Sequence, residues 1–313
     1  MDEWMLIYIG YLMQAAIRAG TPLLLATLGE IYAERSGVLN LGVEGMMIMG
    51  AISAYVVAFA TSNPWLGVIA AIIVGALFAL IHAFVSISLK ANQVVSGLAL
   101  TMLGLGVSAV IGKAYVGTTL QKIAFSPIAI PILSEIPIIG IGLFTADPIA
   151  YIGIITAVVL WYILFKTKYG LAIRAVGENP AAADTLGINV FLVRYLCVAL
   201  GGALAGLAGA HLSLAYTPSW IEGMTAGKGW IAVGLTIFAI WNPMRALVGS
   251  YIFGLIDVLQ FRLQPYGIPP NILAMLPYLF TIIALLIGTT ERMKKRIGAP
   301  AALCIPYTRG ERK

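Results

Sequence analysis

Nine apolar stretches bound what this chain can fold into: Met5 to Leu28, Val43 to Ala60, Trp65 to Leu89, Val94 to Gly112, Pro148 to Phe165, Phe191 to Ala215, Gly229 to Trp241, Ala246 to Leu263 and Ile272 to Gly288. A helix of about 20 apolar residues crosses the hydrocarbon core of a bilayer. It also satisfies its own backbone groups, which lipid demands. At 60% hydrophobic and 10% charged residues, with a mean hydropathy of +0.96, the chain cannot wrap itself in the polar surface of a soluble domain. The expectation is an all-α integral membrane protein, a polytopic bundle of about eight to ten transmembrane helices with broken or re-entrant segments. Acidic Asp2 and Glu3 stand where a secretory signal would carry its basic region, so Met1 to Gly20 is not expected to be cleaved.

Between the first two stretches lies Glu34-Arg35-Ser36-Gly37-Val38-Leu39-Asn40-Leu41-Gly42-Val43-Glu44-Gly45. A charge at the bilayer centre costs at least about 2.5 kcal/mol, and irregular backbone at that depth survives only inside protein or beside a water-filled cavity. Glu34, Asn40 and Glu44 therefore read as the wall of a passage. Glu44-Gly45-Met46-Met47-Ile48-Met49-Gly50 and Lys228-Gly229-Trp230-Ile231-Ala232-Val233-Gly234 share a charge and two glycines at one spacing, an echo of the internal repeats of transporters. The expectation from that echo is a buried pair or gate between Glu44 and Lys228. Asp257 is a further intramembrane carboxylate, and helical spacing places Gln260 beside it. The two suit the polar groups of a solute, or serve only to fix packing.

Lysine and arginine gather at Lys166, Lys168, Arg174 and Arg194, and again at Arg292, Lys294, Lys295, Arg296, Arg309, Arg312 and Lys313, which sets both regions in the cytoplasm. The formal charge of +6 is thus explained by topology, and nucleic acid is dropped as a partner. The organisation expected is a transmembrane domain over 1–288, with a cytoplasmic loop at 166–194 and an ordered extracytoplasmic loop at 113–147, followed by a basic cytoplasmic tail at 289–313.

Two cysteines, Cys197 and Cys304, build neither a disulfide framework nor a thiolate metal site. His82 and His211 lie in separate apolar helices without a carboxylate at ligand spacing, and read as satisfied helix histidines. Gly201, Ala205 and Gly209, with Gly202, Gly206 and Ala210, form stripes of small residues for close helix packing in lipid, as do Gly104, Ser108 and Gly112. Tyr216, Trp220 and Trp230 read as an interfacial aromatic belt, with base stacking as their second reading.

The loop Tyr169 to Gly187 is punctuated as a short helix: Asn179 is a good N-cap, Pro180 a good first residue and Gly187 a good C′ residue. Ala181, Ala182, Ala183 and Leu186 give it a small-residue face that another protein can approach. This capped helix resembles the coupling loop of ABC importer permeases, which seats in a cleft on the ATPase. Gly37-Val38-Leu39-Asn40-Leu41-Gly42-Val43-Glu44-Gly45 is similar to the signature of the permease family serving branched-chain amino acids, simple sugars and nucleosides. Glu34 to Gly37, Leu89-Lys90-Ala91-Asn92-Gln93, Glu178-Asn179-Pro180 and Gly298 to Leu303 most resemble its nucleoside branch, whose binding subunits are lipoproteins of the basic-membrane-protein type.

The resemblance implies a permease subunit, in a bacterial-type cell membrane with its C-terminus cytoplasmic, that translocates nucleosides by alternating access. A ribose-like sugar or a branched-chain amino acid is the alternative cargo. It implies partners: an ABC ATPase, a second homologous permease and an extracytoplasmic solute-binding lipoprotein. Residues Glu34, Asn40, Glu44, Asn92, Gln93, Lys228, Asp257 and Gln260 would line the pathway. Glu178, Asn179, Pro180, Ala182, Leu186 and Gly187 would couple to the ATPase. No G-x-x-x-x-G-K-[ST] loop occurs, so the chain is not expected to be an enzyme or to hold a cofactor or metal; ATP and magnesium belong to the partner. Two rivals from other classes differ in what they need. A secondary transporter would place a proton or sodium at Glu34, Glu44 or Asp257. An intramembrane enzyme would need a nucleophile with its base, a metal cluster or paired carboxylates, and the chain offers none of these motifs.

Overall fold

The computed structural model describes residues 3–288 and 298–310. The tail cations Arg292, Lys294, Lys295, Arg296, Arg312 and Lys313 lie outside the described residues.

The chain opens with α1 (Glu3–Arg35), whose 33 residues extend roughly 50 Å at 1.5 Å per residue. It continues through α2 (Val43–Thr61), α3 (Pro64–Ala83, prolonged by a π-helical turn Phe84–Ser88) and α4 (Gln93–Gly112). A connection follows, holding the two-residue strands β1 (Ile128–Ala129) and β2 (Thr145–Ala146), paired antiparallel, and between them the short α5 (Ile139–Leu143). Next come α6 (Pro148–Lys166), α7 (Lys168–Glu178), α8 (Pro180–Thr185) and α9 (Val190–His211, prolonged by a π-helical turn Leu212–Tyr216). The last described helices are α10 (Lys228–Phe238), α11 (Pro243–Leu263), α12 (Pro270–Leu273) and α13 (Leu276–Gly288). Among the described residues six helices are long and apolar enough to span a membrane: α2, α3, α4, α6, α9 and α11 with their extensions. The long, more polar α1, the 11-residue α10 and the apolar Pro270–Ile283 segment bring the apolar elements close to the stretches read from the sequence.

The chain is an all-α polytopic membrane protein, and its helices start where side chains stop the backbone. Asn63, Asn92, Asp147, Asn189 and Asn242 each accept a hydrogen bond from the first turn of the helix that follows. Pro64, Pro148 and Pro243 take the first helical position, where no amide is missed. The core is α2 and α9, packed against each other and against α1 and α3. Contact there is backbone to backbone: a methyl on Gly75 would lie 2.2 Å from the Gly202 carbonyl, and one on Gly206 2.1 Å from that of Ala71. The small-residue stripe of α9 is thus a packing device, as its spacing promised.

Helix α6, roughly 28 Å long, separates two ends of the bundle. One end carries α7, α8 and the segment after α1. The other carries Asp147, the end of α9 and the connection 113–147, which is ordered by β1 and β2 and by bonds to the α9 exit, from Leu120 N to Pro218 O (2.9 Å) and from Phe125 N to Leu214 O (2.9 Å).

Candidate translocation site

A long interruption divides α9 from α10. The chain leaves its π-helical turn at Tyr216, runs irregularly over 217–227, and resumes as a helix only at Lys228. Gly223 and Gly227 take positive φ, at +67° and +79°, the left-handed region that glycine enters freely. Trp220 is buried against Gly112, where a methyl would overlap its indole. The expected interfacial belt is therefore corrected at this position: Trp220 plugs the interruption and does not sit at a lipid boundary.

Both broken ends leave backbone groups without helical partners, and a charged side chain meets each. The Arg18 guanidinium donates to the Ala215 carbonyl and, at 3.5 Å, to that of Tyr216. Cations favour a helix C-terminus. At the opposite end Glu44 accepts from Thr225 Oγ1 (2.6 Å), Gly227 N (2.9 Å) and Gly229 N (2.6 Å). An anion on the first amides of α10 is the favourable sign there. The approach requires Gly229, since a methyl would stand 2.6 Å from the Glu44 backbone.

That geometry corrects the expected Glu44–Lys228 pair. Glu44 is already occupied by three donors, and Lys228 Nζ turns to Asp257 Oδ2 at 2.8 Å. Gln260 Nε2 donates to Asp257 Oδ1 at 2.7 Å, which joins the two neighbours that the helical spacing put together. Lys228, Asp257 and Gln260 line a cavity of about 180 Å³ with Tyr278, whose hydroxyl donates to Ala226 O at 2.8 Å. The echo between residues 44–50 and 228–234 becomes a contact, because Gly229 lies on the backbone of Glu44.

The remaining polar residues of the first motif brace its turn. Glu34 accepts from Trp241 Nε1 at 2.5 Å, while Arg35 reaches back to the carbonyls of Ile240 and Trp241. Asn40 N donates to Glu30, Leu39 N donates to Gln93, and Asn40 Oδ1 accepts from Gly42 N. Asn92 caps α4, accepting from Val94 N and Val95 N. Asn40, Asn92 and Gln93 thus fix backbone and Glu34 holds the Trp241 indole, and none of the four lines the cavity of Lys228 and Asp257.

Three further polar residues find partners that the sequence reading did not assign. Glu30 is fully buried one turn before Glu34. His211, apart from any carboxylate in the sequence, has Nε2 at 3.1 Å from Asp147, the cap of α6. Arg194, expected as a cytoplasmic anchor, is 1% exposed, and this too is a correction: its Nε donates to Ser36 O at 3.1 Å. His82 is satisfied, as expected, by Ser96 Oγ and Leu39 O at 3.0 Å each.

At the other end of α6 the punctuation of α8 is as read. Asn179 Oδ1 accepts from Ala182 N at 3.0 Å, Pro180 takes the first position, and Gly187 has φ +84°. Leu186 projects 80% exposed, and Glu178 is also exposed.

A family model described as "Branched-chain amino acid transport system / permease component" matches residues 12–286. A protein of Haloferax volcanii, provisionally named a glucose ABC transporter permease, is 43% identical over 95% of this chain and 97% of its own. The guanosine ABC transporter permease of Bacillus subtilis is 37% identical over 97% and 98%, and the nucleoside ABC transporter permease of Lactococcus lactis 37% over 85% and 88%. Among solved structures, a chain of PsaBC from Streptococcus pneumoniae in complex with Fab shares the fold at a TM-score of 0.51 and 16% identity, over 90% of this chain and 93% of that one.

Proposed function

The chain belongs to the branched-chain amino acid transport system permease family, and from that premise we propose that it passes nucleosides across a bacterial-type cell membrane by alternating access. It is an ABC transporter permease, a transport subunit without an ATPase site of its own, and the family works with ATPase and substrate-binding partners. In the reading proposed, an extracytoplasmic lipoprotein delivers the solute, a second homologous permease completes the passage, and ATP with magnesium acts on the partner ATPase. The C-terminus is cytoplasmic, and α8 transmits the ATPase's motion.

The observation that carries the cargo reading is the cavity of Lys228, Asp257, Gln260 and Tyr278. It offers an ammonium, a carboxylate, an amide and an aromatic ring at the mouth of a broken helix, where one neutral solute with a ring and hydroxyls can meet all four kinds of group. The interruption at 217–227 is the element expected to differ between the two access states, because two of its glycines tolerate other conformations. A sugar is the second reading, favoured by the 43% identity to the Haloferax volcanii protein.

The test is uptake of labelled guanosine by cells carrying the permease with its neighbouring ATPase, second permease and receptor, with uridine, glucose, ribose or leucine as competitors. ATP-dependent uptake blocked by uridine alone is the expected result. Inhibition by glucose or ribose would move the cargo to the sugar reading, and uptake that survives loss of the ATPase would overturn the mechanism.

A further inference from the structure

The small-residue face of α8 is already partly covered, and what covers it is the chain's own C-terminal segment. Tyr307 packs on Ala183, Val176 and Val190, leaving Ala183 1% exposed, and its ring meets Phe191 at 5.8 Å between centroids. Ala302 N donates to Gly177 O at 2.8 Å, Arg309 Nε to Asp184 Oδ2 at 3.0 Å, and Lys90 Nζ to Thr308 Oγ1 at 2.8 Å. Residues 300–309 are therefore strapped to α7, α8, α9 and the turn before α4.

The strap continues inward through Arg194. Its Nη1 donates to Ile305 O at 3.2 Å while Nε holds Ser36 O, so one buried guanidinium ties the C-terminal segment to the turn that follows α1. A planar fork suits two carbonyls on different segments, where an ammonium on a flexible stem does not fix the pair. The last turn of α1, immediately before the turn that Arg194 holds, carries Glu34, which holds Trp241 just beyond the end of α10, and Lys228 opens that helix.

Between α8 and the segment lies an open cleft of about 340 Å³, walled on one side by Glu178 to Ala181 and on the other by Ala301, Ala302 and Ile305 to Thr308. Next along the chain from Ala181, Ala182 of α8 is exposed, as is Leu186 just past the end of that helix. Lys90, held to Thr308 of the cleft wall, and Arg309, paired with Asp184 at 3.0 Å, stand beside the cleft, with Glu178 in the opposite wall.

We propose that residues 300–309 form the second half of the seat for the ATP-hydrolysing subunit, and that Arg194 carries displacement of this seat to the turn after α1. The proposal rests on the reading of α8 as the coupling helix. Two walls explain why the chain spends an ordered segment on a helix of six residues: alone that helix presents too little surface to be pushed and pulled, and the strap gives it a backing.

The test uses the full-length permease with its second permease in nanodiscs, and measures binding of the purified ATPase together with ATP-driven uptake in vesicles. Ile305 is 43% exposed and lines the cleft, so Ile305→Glu places charge in the seat without disturbing the fold; Leu186→Glu is the reference on α8. The expected result is that each weakens binding at least tenfold, while Arg194→Lys keeps binding within twofold and lowers uptake at least fivefold. Loss of binding by Leu186→Glu with none by Ile305→Glu would overturn the shared seat and leave the coupling helix standing. Unchanged binding by Leu186→Glu would overturn the reading beneath it. Normal uptake by Arg194→Lys would remove the inward link. Monodisperse elution of every variant separates these results from misfolding.

Discussion

Two carboxylates flank the start of α10 and have opposite fates. Glu44 is 4% exposed and accepts from three donors, two of them backbone amides of the helix N-terminus. Asp257 keeps 13% of its side chain exposed, borders a cavity and holds only side chains, Lys228 and Gln260. Where a buried carboxylate is held by the first amides of a helix and a neighbouring hydroxyl, a charge at membrane depth is structural: it replaces the hydrogen bonds that a broken helix has lost. Where the partners are flexible side chains facing a cavity, the charge is free to exchange them for a solute. The contrast sorts polar residues in the membrane better than depth or sign does.

The largest effect expected is at Glu44. Glu44→Ala strands a hydroxyl and two amides in the core, and hydrogen bonds to a charged group are worth about 1.5–3 kcal/mol each. Folded, monodisperse permease should fall to a small fraction of its normal amount in the membrane, and thermal melting in detergent should drop steeply. Glu44→Gln, which retains an acceptor, should fall between. A Glu44→Ala permease that accumulates and melts like the parent would break the distinction between the two carboxylates.

Next is the pair across the cavity. Asp257→Asn or Lys228→Gln should leave the amount of protein near normal, at a stability cost of about 1–2 kcal/mol because water in the cavity reaches the stranded partner. Uptake should fall at least tenfold in each. The double variant removes both charges, so it should melt above either single variant while transporting no better. Additive losses of stability would show that the two do not act as a pair.

Local chemistry was legible in the sequence and distant pairing was not. Asn179, Pro180 and Gly187 announce a short helix because caps are decided within one turn, and Asp257 and Gln260 meet because three residues is one helical step. The apolar stretches place the spans by length alone. Glu44 and Thr225, by contrast, are 181 residues apart, and Lys228 and Asp257 are 29 apart on different helices. Nothing in the composition of either segment says which charge faces which. The echo between 44–50 and 228–234 pointed to the right two places and the wrong bond: its glycine marked a close approach of backbones, and that approach gives Glu44 to the amides of α10 and leaves Lys228 for α11. Arg194 misled for a related reason. A cation near a span's end counts toward topology whether it lies in water or, as here, holds Ser36 and Ile305 from inside the fold.

The smallest effect, and the sharpest discriminator, is at Gln260. Its amide donates to Asp257 and lines the cavity, and the residue is 9% exposed. Gln260→Leu keeps the volume and removes the amide, and Asp257 retains Lys228, so stability should change by less than about 1 kcal/mol. If the amide meets the solute, the KM for uptake through the reconstituted importer rises several-fold while maximal rate holds, since binding is lost without loss of the conformational cycle. Gln260→Glu sets a second negative charge beside Asp257, and it should depress the maximal rate by competing for Lys228. A Gln260→Leu permease with lowered melting and an unchanged KM would place Gln260 on the structural side with Glu44, and would narrow the solute-facing set to Lys228, Asp257 and Tyr278.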